Sequence, residues 1–547
     1  MKRLAPLAMS VALALLAMPA SAVDERHELE MLRETTLNLI DTLVEAGVLS
    51  REQADGMLAK ARRKAAQTIA EKPLDESTIR VTYVPESVRQ EIREQIKKEV
   101  VSQAQAEGWA QPDAVPGWIK RIKVEGDIRL RYQTDNMAEA NTPAADYVLA
   151  AQNGATRAAS FATVDGNGVP AANTLEDIGR WRVRARLGVL ADVTDHVSAG
   201  LRLSTGNTRD RVSTNQTLGQ NLNKYDFLVE RAYVKLQPVS SISLTGGRIP
   251  NPWYSTDLMW DTDLNFEGVA ASWQYKERGA RFRPFATVGY FPIRADDPPS
   301  APEGRSLIGA QVGAGWDVAP WQQLRFGLAL YDFRQFEGKR EPNTALGISG
   351  ANQIVLTSDY GSTQYESGLR QKGNTLFETN ASNDISQPIY FGLASKFRPL
   401  NLTGAWVLDY WHPAQVVLSA DYVYNTAFDK REIERRTGLD VSDASANAWR
   451  LGISVGQAKI EDRGDWKASI VYKRVGSDAL LDAFTDSDFG GGGTNLRGFV
   501  LGFGYGLDHN TALGLKYASA DTITSPTLRS GDSFGQDTLQ LDLAVKF

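Results

Sequence analysis

From residue 118 onward, apolar and polar positions alternate with a period of two. Ile122, Val124, Ile128, Leu130 and Tyr132 take even positions, and Arg121, Lys123, Glu125, Asp127, Arg129 and Arg131 take odd ones. Such alternation marks strands with one apolar and one polar face. It returns in Trp181-Val183-Ala185-Leu187-Val189, set against Arg180, Arg182, Arg184 and Arg186, and persists to Leu539-Leu541-Leu543-Val545-Phe547. Seventeen segments carry it, at 121–132, 180–191, 197–206, 227–236, 242–249, 266–275, 282–290, 306–316, 323–333, 388–397, 402–410, 416–425, 447–457, 465–474, 497–506, 511–518 and 537–547.

Apolar alternates bounded by aromatics suit an antiparallel transmembrane β-barrel over 118–547, with lipid outside and a wet lumen inside. In lipid every backbone N–H and C=O needs a partner, so a spanning sheet must close. Trp118, Tyr132, Trp181, Tyr275, Tyr290, Trp316, Trp411 and Tyr472 then fall at the membrane interfaces. A barrel with both ends on one side needs an even count. Alternating short turns with long loops from each end makes the counts collide at 388–415, so one of 388–397 and 402–410 is not a spanning strand. The reading is sixteen strands, with eighteen as the alternative if weak strands escape notice.

The first hundred residues have another texture. Met1-Lys2-Arg3, an apolar run and Ala20-Ser21-Ala22 form a signal-peptide pattern over 1–22. Residues 23–115 read as a helical periplasmic region. Leu29, Leu32, Leu39 and Leu43 recur at helical spacing, predicting helices at 27–46 and 51–70. A third helix is predicted at 85–106, where Val88, Ile92, Ile96 and Val100 make a narrow seam between charges. That seam fits packing on the first pair or a short coiled coil.

Composition removes other classes. The 547 residues hold no cysteine, which excludes a disulfide scaffold and thiolate metal sites. A net charge of −6 argues against a nucleic-acid partner. Gly531-Asp532-Ser533-Phe534-Gly535 has the short G-x-S-x-G spacing but no strand–turn–helix context, and the four histidines are scattered. Asp482, Asp486 and Asp488 precede a glycine run without the glutamate of a calcium loop, and read as a flexible acidic loop. The chain is therefore read as a non-enzyme, with no cofactor, catalytic group or metal site.

A sixteen-stranded barrel leaves an aqueous channel, so the inward row sets its function. Arg129, Arg131, Arg180, Arg182, Arg184, Arg186, Arg202, Arg231, Lys235 and Arg248 are predicted to line it. Guanidinium stays charged, so this is a fixed basic wall. Asp257, Asp261, Asp263 and Glu267, around the connection 250–265, are predicted to fold inward opposite it. Facing charges of opposite sign would set a transverse field and tune ion preference. Alternatively, the arginines pair with Glu125, Asp127 and Glu230 and only stiffen the wall.

Several stretches together resemble the putative outer-membrane porins of Gram-negative bacteria, a family distantly similar to the phosphate-selective porins. They are VPESVRQEIREQIKKEVVSQAQAEGW at 84–109, WIKRIKVEGDIRLRYQTD at 118–135, GRWRVRARLGVLADVTD at 179–195, GRIPNPWYSTDLMWDTDLNFEGVA at 247–270 and FGLASKFRPLNLTGAWVLDYWHPAQVVLSADYVYN at 391–425. The resemblance implies an outer-membrane channel, homotrimeric, with a periplasmic helical N-terminus; as a separate reading, those helices could instead touch the cell wall. It names no solute. Passive diffusion of small hydrophilic solutes and ions is the function expected. The alternatives are an anion- or phosphate-selective channel, and a non-conducting surface-binding or structural barrel.

Overall fold

The structure is a computed structural model that describes residues 121–208, 210–295, 304–340, 346–348, 354–356, 363–379 and 389–547. The expected signal peptide at 1–22, the helical region at 23–115 with its seam at 85–106, and Trp118 lie outside the described residues.

Sixteen of the seventeen alternating segments fold as strands of one sheet. They are β1 (Ile122–Met137), β2 (Ile178–Asp192), β3 (Val197–Ser204), β4 (Leu228–Val239), β5 (Ile242–Pro250), β6 (Asn265–Gln274), β7 (Phe282–Arg294) and β8 (Arg305–Ala319). Then follow β9 (Gln322–Arg334), β10 (Pro399–Trp411), β11 (Ala414–Asn425), β12 (Asn447–Gly456), β13 (Trp466–Val475), β14 (Leu496–Asp508), β15 (Thr511–Thr522) and β16 (Gly535–Lys546). Every strand pairs antiparallel with the next. β16 returns to β1 with Leu543 opposite Leu130, so the sheet closes. A two-residue strand, Gln216–Thr217, is the seventeenth member of this sheet and extends it beside β2. Closure leaves no edge whose N–H and C=O groups want a partner.

The seam depends on one close approach. Phe547 and Gly126 exchange backbone hydrogen bonds of 2.9 and 3.0 Å. A Cβ on Gly126 would stand 2.5 Å from the Phe547 ring, so only glycine lets that ring lie on β1.

The strands sort their side chains as the pattern requires. Leu187, Leu328, Ile453, Ile470, Leu501 and Leu541 all face outward, each at least 40 % exposed. Aromatics gather at both ends of this outer apolar band. Tyr132, Trp181, Tyr290 and Tyr472 lie toward one rim, and Trp273, Trp316, Trp411 and Trp466 toward the other. Tyr132 and Trp181 face each other across β1 and β2, with ring centroids 5.0 Å apart.

The parity conflict resolves at one place. β10 spans, whereas 388–397 contributes only Phe391–Leu393 to a small sheet with Leu376–Glu378 and Ala155–Thr156. Phe391, Leu393, Ala394 and Phe397 are all buried, packed into the loops rather than facing outward. The eighteen-strand alternative is thereby set aside. The connections at one end are short and those at the other end long. The long ones carry α1 (Ala144–Ala151) and α2 (Lys430–Thr437). Asp429 caps α2 by accepting from the Arg431 and Glu432 amides, and Gly438 ends it at φ 71°. These long connections also fold into the barrel mouth, where Trp260, Tyr331, Phe333, Phe336, Tyr365 and Phe484 form an aromatic core.

Candidate functional site

The polar phase of β1 to β4 builds a wall of arginines, and the register fixes their neighbours. Arg129 stands opposite Arg184, Arg131 opposite Arg182, and Gln133 opposite Arg180. Like charges directly opposite are unfavourable, so carboxylates must intervene. Asp127 accepts from Arg184 at 2.8 Å and from Arg186 at 2.6 Å. Asp135 pairs with Arg180, and Asp542 of β16 takes Arg131 in a two-bond fork of 2.7 and 2.8 Å. A bulge in β4 inserts Glu230 beside Arg231, and Glu230 takes Arg202 at 2.5 and 2.6 Å. Asp127 and Glu230 are therefore wall partners as the sequence suggested, whereas Glu125 pairs with Lys123 at 3.6 Å.

The connection 251–264 crosses the inside of the barrel. Near its start, Tyr254 exchanges hydrogen bonds of 2.8 Å with Gln311 of β8, and Arg325 of β9 lies 4.1 Å over its ring. Thr256 donates to Asp421 of β11 at 2.6 Å. Asp257 binds Arg450 of β12 at 2.6 Å and Lys473 of β13 at 2.5 Å. At the far end Asp263 lies 3.7 and 3.6 Å from Arg184 and Arg186. One loop therefore joins opposite walls through its acids. Burial alone would raise the Asp257 carboxyl, but Lys473 and Arg450 hold it well below the usual carboxylate range.

The connection 476–495 enters from the other side, and here the sequence expectation fails. Asp482, Asp486 and Asp488 are not a flexible surface loop. Asp482 is buried, accepting from the Tyr365 hydroxyl at 2.5 Å and the Gln371 amide at 3.0 Å. Burial lifts its carboxyl to about 6. Asp486 binds Lys473 at 2.6 Å, and Asp488 lies 3.3 Å from Arg131 and 3.2 Å from Lys516. The two inward connections meet where the Ser487 amide donates to Asp261 at 2.9 Å. Burial, with Asp486 close by, pushes the Asp261 carboxyl up to about 8.

Three predicted site residues lie elsewhere. Glu267 belongs to β6 rather than to the inward connection. It pairs with Arg248 on the face opposite buried Ile249 and Phe266, with 62 % of its side chain exposed. Neither joins the belt of ion pairs. Lys235 sits nearer the short-turn end, opposite Ser198 and Thr245. Five belt residues missed from sequence, Arg450, Lys473, Lys516, Asp135 and Asp542, all occupy the polar phase of alternating strands. That phase was the signal that could have found them.

Three arginines bond to neutral groups. Arg182 donates to Gln133 at 3.3 Å and Ser213 at 3.5 Å, and Arg231 to Asn265 at 2.7 Å. Arg129 donates to Asn215 at 2.6 Å, with Asp542 no nearer than 3.9 Å. A cavity of about 570 Å³ is lined by Ser213 and Asn265, the partners of two of them, together with Asp210, Arg211, Glu230 and Asp263.

Three solved structures are among those the chain matches. One is a loop-deletion mutant of OmpT from Vibrio cholerae, 11 % identical over 78 % of this chain and 100 % of that one, with a TM-score of 0.36. A second is the channel DcaP of Acinetobacter baumannii, 11 % identical over 78 % of this chain and 98 % of that one, at 0.36. The third is OmpF of Salmonella typhi in complex with daunomycin, 9 % identical over 78 % and 97 %, at 0.39. No curated protein matches the chain. A protein family does: residues 33–547 match the family described as "Putative porin", and the chain belongs to it.

Proposed function

We propose that the protein is a passive channel of the Gram-negative outer membrane, admitting small hydrophilic solutes and ions. The observation that carries this is the contrast between the two faces of one closed sheet. Outside, large apolar residues alternate into a band; inside, the same strands hold a belt of ion pairs crossed by the connection 251–264. Charge of that density needs water or a partner, and a lumen supplies both. The resemblance read from the sequence adds a homotrimer and a periplasmic helical N-terminus. Planar-bilayer recording tests the channel: stepwise, steady conductance supports it, and silence from well-folded protein overturns it.

A second reading concerns ion preference. Arg129, Arg182 and Arg231 have neutral hydrogen-bond partners, which leaves the wall short of close carboxylates and favours anions. The family description names no solute. Replacing Arg182, Arg184 and Arg186 by glutamine should move the reversal potential in a salt gradient toward cation preference. An unchanged potential would remove these residues from the constriction.

A further inference from the structure

Asp488 ends in a socket made by three strands of the wall. Its Oδ1 accepts from Nε2 of Gln540 on β16 at 2.9 Å and faces Nη1 of Arg131 on β1 at 3.4 Å. Its Oδ2 accepts from Nζ of Lys516 on β15 at 3.2 Å and from the same Nη1 at 3.3 Å. Arg131 and Gln540 are 3 % and 1 % exposed. The other edge of Arg131 is fixed by the Asp542 fork, so the guanidinium is already aimed. Two cations and an amide thus converge on one carboxylate, and that carboxylate arrives on a loop rather than on the wall.

The loop turns on glycines just past its acid. Gly490, Gly491, Gly492 and Gly493 follow Asp488 and Phe489 with φ of 58, 72, 85 and 100°. That left-handed run holds through Lys372, whose ammonium donates to the Gly490 and Gly492 carbonyls. Without Asp488 the socket would face the lumen with Lys516 and one edge of Arg131 unmatched. Two positive groups left without their partner would attract an anion to the vacated place.

We propose that the Arg131–Lys516–Gln540 socket binds the carboxylate of small anionic solutes, and that Asp488 occupies it as a tethered competitor. This rests on the channel reading and narrows it to a solute class. A planar two-oxygen group fits because the present occupant is one: each oxygen meets one outer donor, and the guanidinium nitrogen bridges both. Arg182 stands opposite Arg131 in the register and offers an incoming anion its next positive group. Exchange of one carboxylate for another lets a solute enter without stranding charge in the lumen.

The test uses full-length protein, Asp488→Ala, and Asp488→Ala combined with Lys516→Gln. Thermal unfolding in detergent with added succinate reads binding without needing conductance. Succinate should raise the midpoint of Asp488→Ala, do so less in the unsubstituted protein, and leave the double variant unmoved. In bilayers, Asp488→Ala should raise the anion-to-cation permeability ratio by roughly threefold or more. Succinate should also reduce its chloride current, and Lys516→Gln should cancel both effects. Inorganic phosphate matching succinate would overturn the carboxylate assignment. No stabilisation of Asp488→Ala by succinate, or equal stabilisation of the double variant, would overturn the socket itself. Succinate binding in protein that never conducts would uphold the socket and remove only the channel reading.

Discussion

Asp261 shows how a single carboxyl couples two inward connections. Its Oδ1 accepts from the Asp263 amide at 2.7 Å within its own loop, and its Oδ2 from the Ser487 amide at 2.9 Å in the other. Burial and the neighbouring Asp486 raise it to about 8. An acid raised on folding contributes fully below its unfolded value near 4, and that contribution is lost as pH rises toward 8. Asp261→Asn stays neutral throughout. The stability of the unsubstituted protein relative to Asp261→Asn should therefore fall by up to about 5 kcal/mol between pH 4 and 8, then level off. Thermal midpoints of both proteins across that range check this, and parallel curves would refute it. Nothing in the sequence marks Asp261 apart from Asp257 or Asp263. Their difference comes from partners hundreds of residues away: Lys473 and Arg450 for Asp257, Asp486 for Asp261.

At the scale of elements, alternation was legible because lipid and lumen impose opposite demands on neighbouring residues. It located all sixteen strands, yet FGLASKF at 391–397 shows its limit. A period of two reports two different faces, not that the outer one meets lipid. In this segment both faces are buried among loops. The inward fold of 476–495 was illegible for a related reason. Its glycine run reads equally as a flexible tip, and only partners distant in sequence, Tyr365, Lys372, Lys473 and the socket for Asp488, say otherwise. That run is a sharp place to perturb. Gly493 sits at φ 100°, and a Cβ there would stand 2.2 Å from the Lys372 carbonyl oxygen. Gly493→Val should therefore release the connection at a cost of about 1–3 kcal/mol while the barrel stays closed. Limited proteolysis of the folded protein should then cut within 485–495 roughly tenfold faster or more. Unchanged cleavage would mean that the loop is not anchored there.

Over the whole molecule, one sheet separates two solvents. The outer band and the inner belt come from the same strands, so a charge should be tolerated on one face and not on the other. Ile470 faces outward at 51 % exposure, and its neighbour Ser469 has the opposite phase. Ile470→Lys should destabilise the protein in lipid by about 2–4 kcal/mol, and Ser469→Lys by much less. Denaturant unfolding in vesicles distinguishes them; equal losses would mean that the outer band does not meet lipid. The net charge of −6 gave no hint of this division, because a total does not show that eight arginines of β1 to β4 share one stretch of wall. The acids that answer them come partly from the two connections folded into the lumen, through Asp263 and Asp488.

Single-channel recording in a planar bilayer, under a salt gradient, addresses the central claim most directly. The account predicts discrete, steady openings with a reversal potential on the anion side. Correctly folded, membrane-inserted protein that carries no current would contradict it.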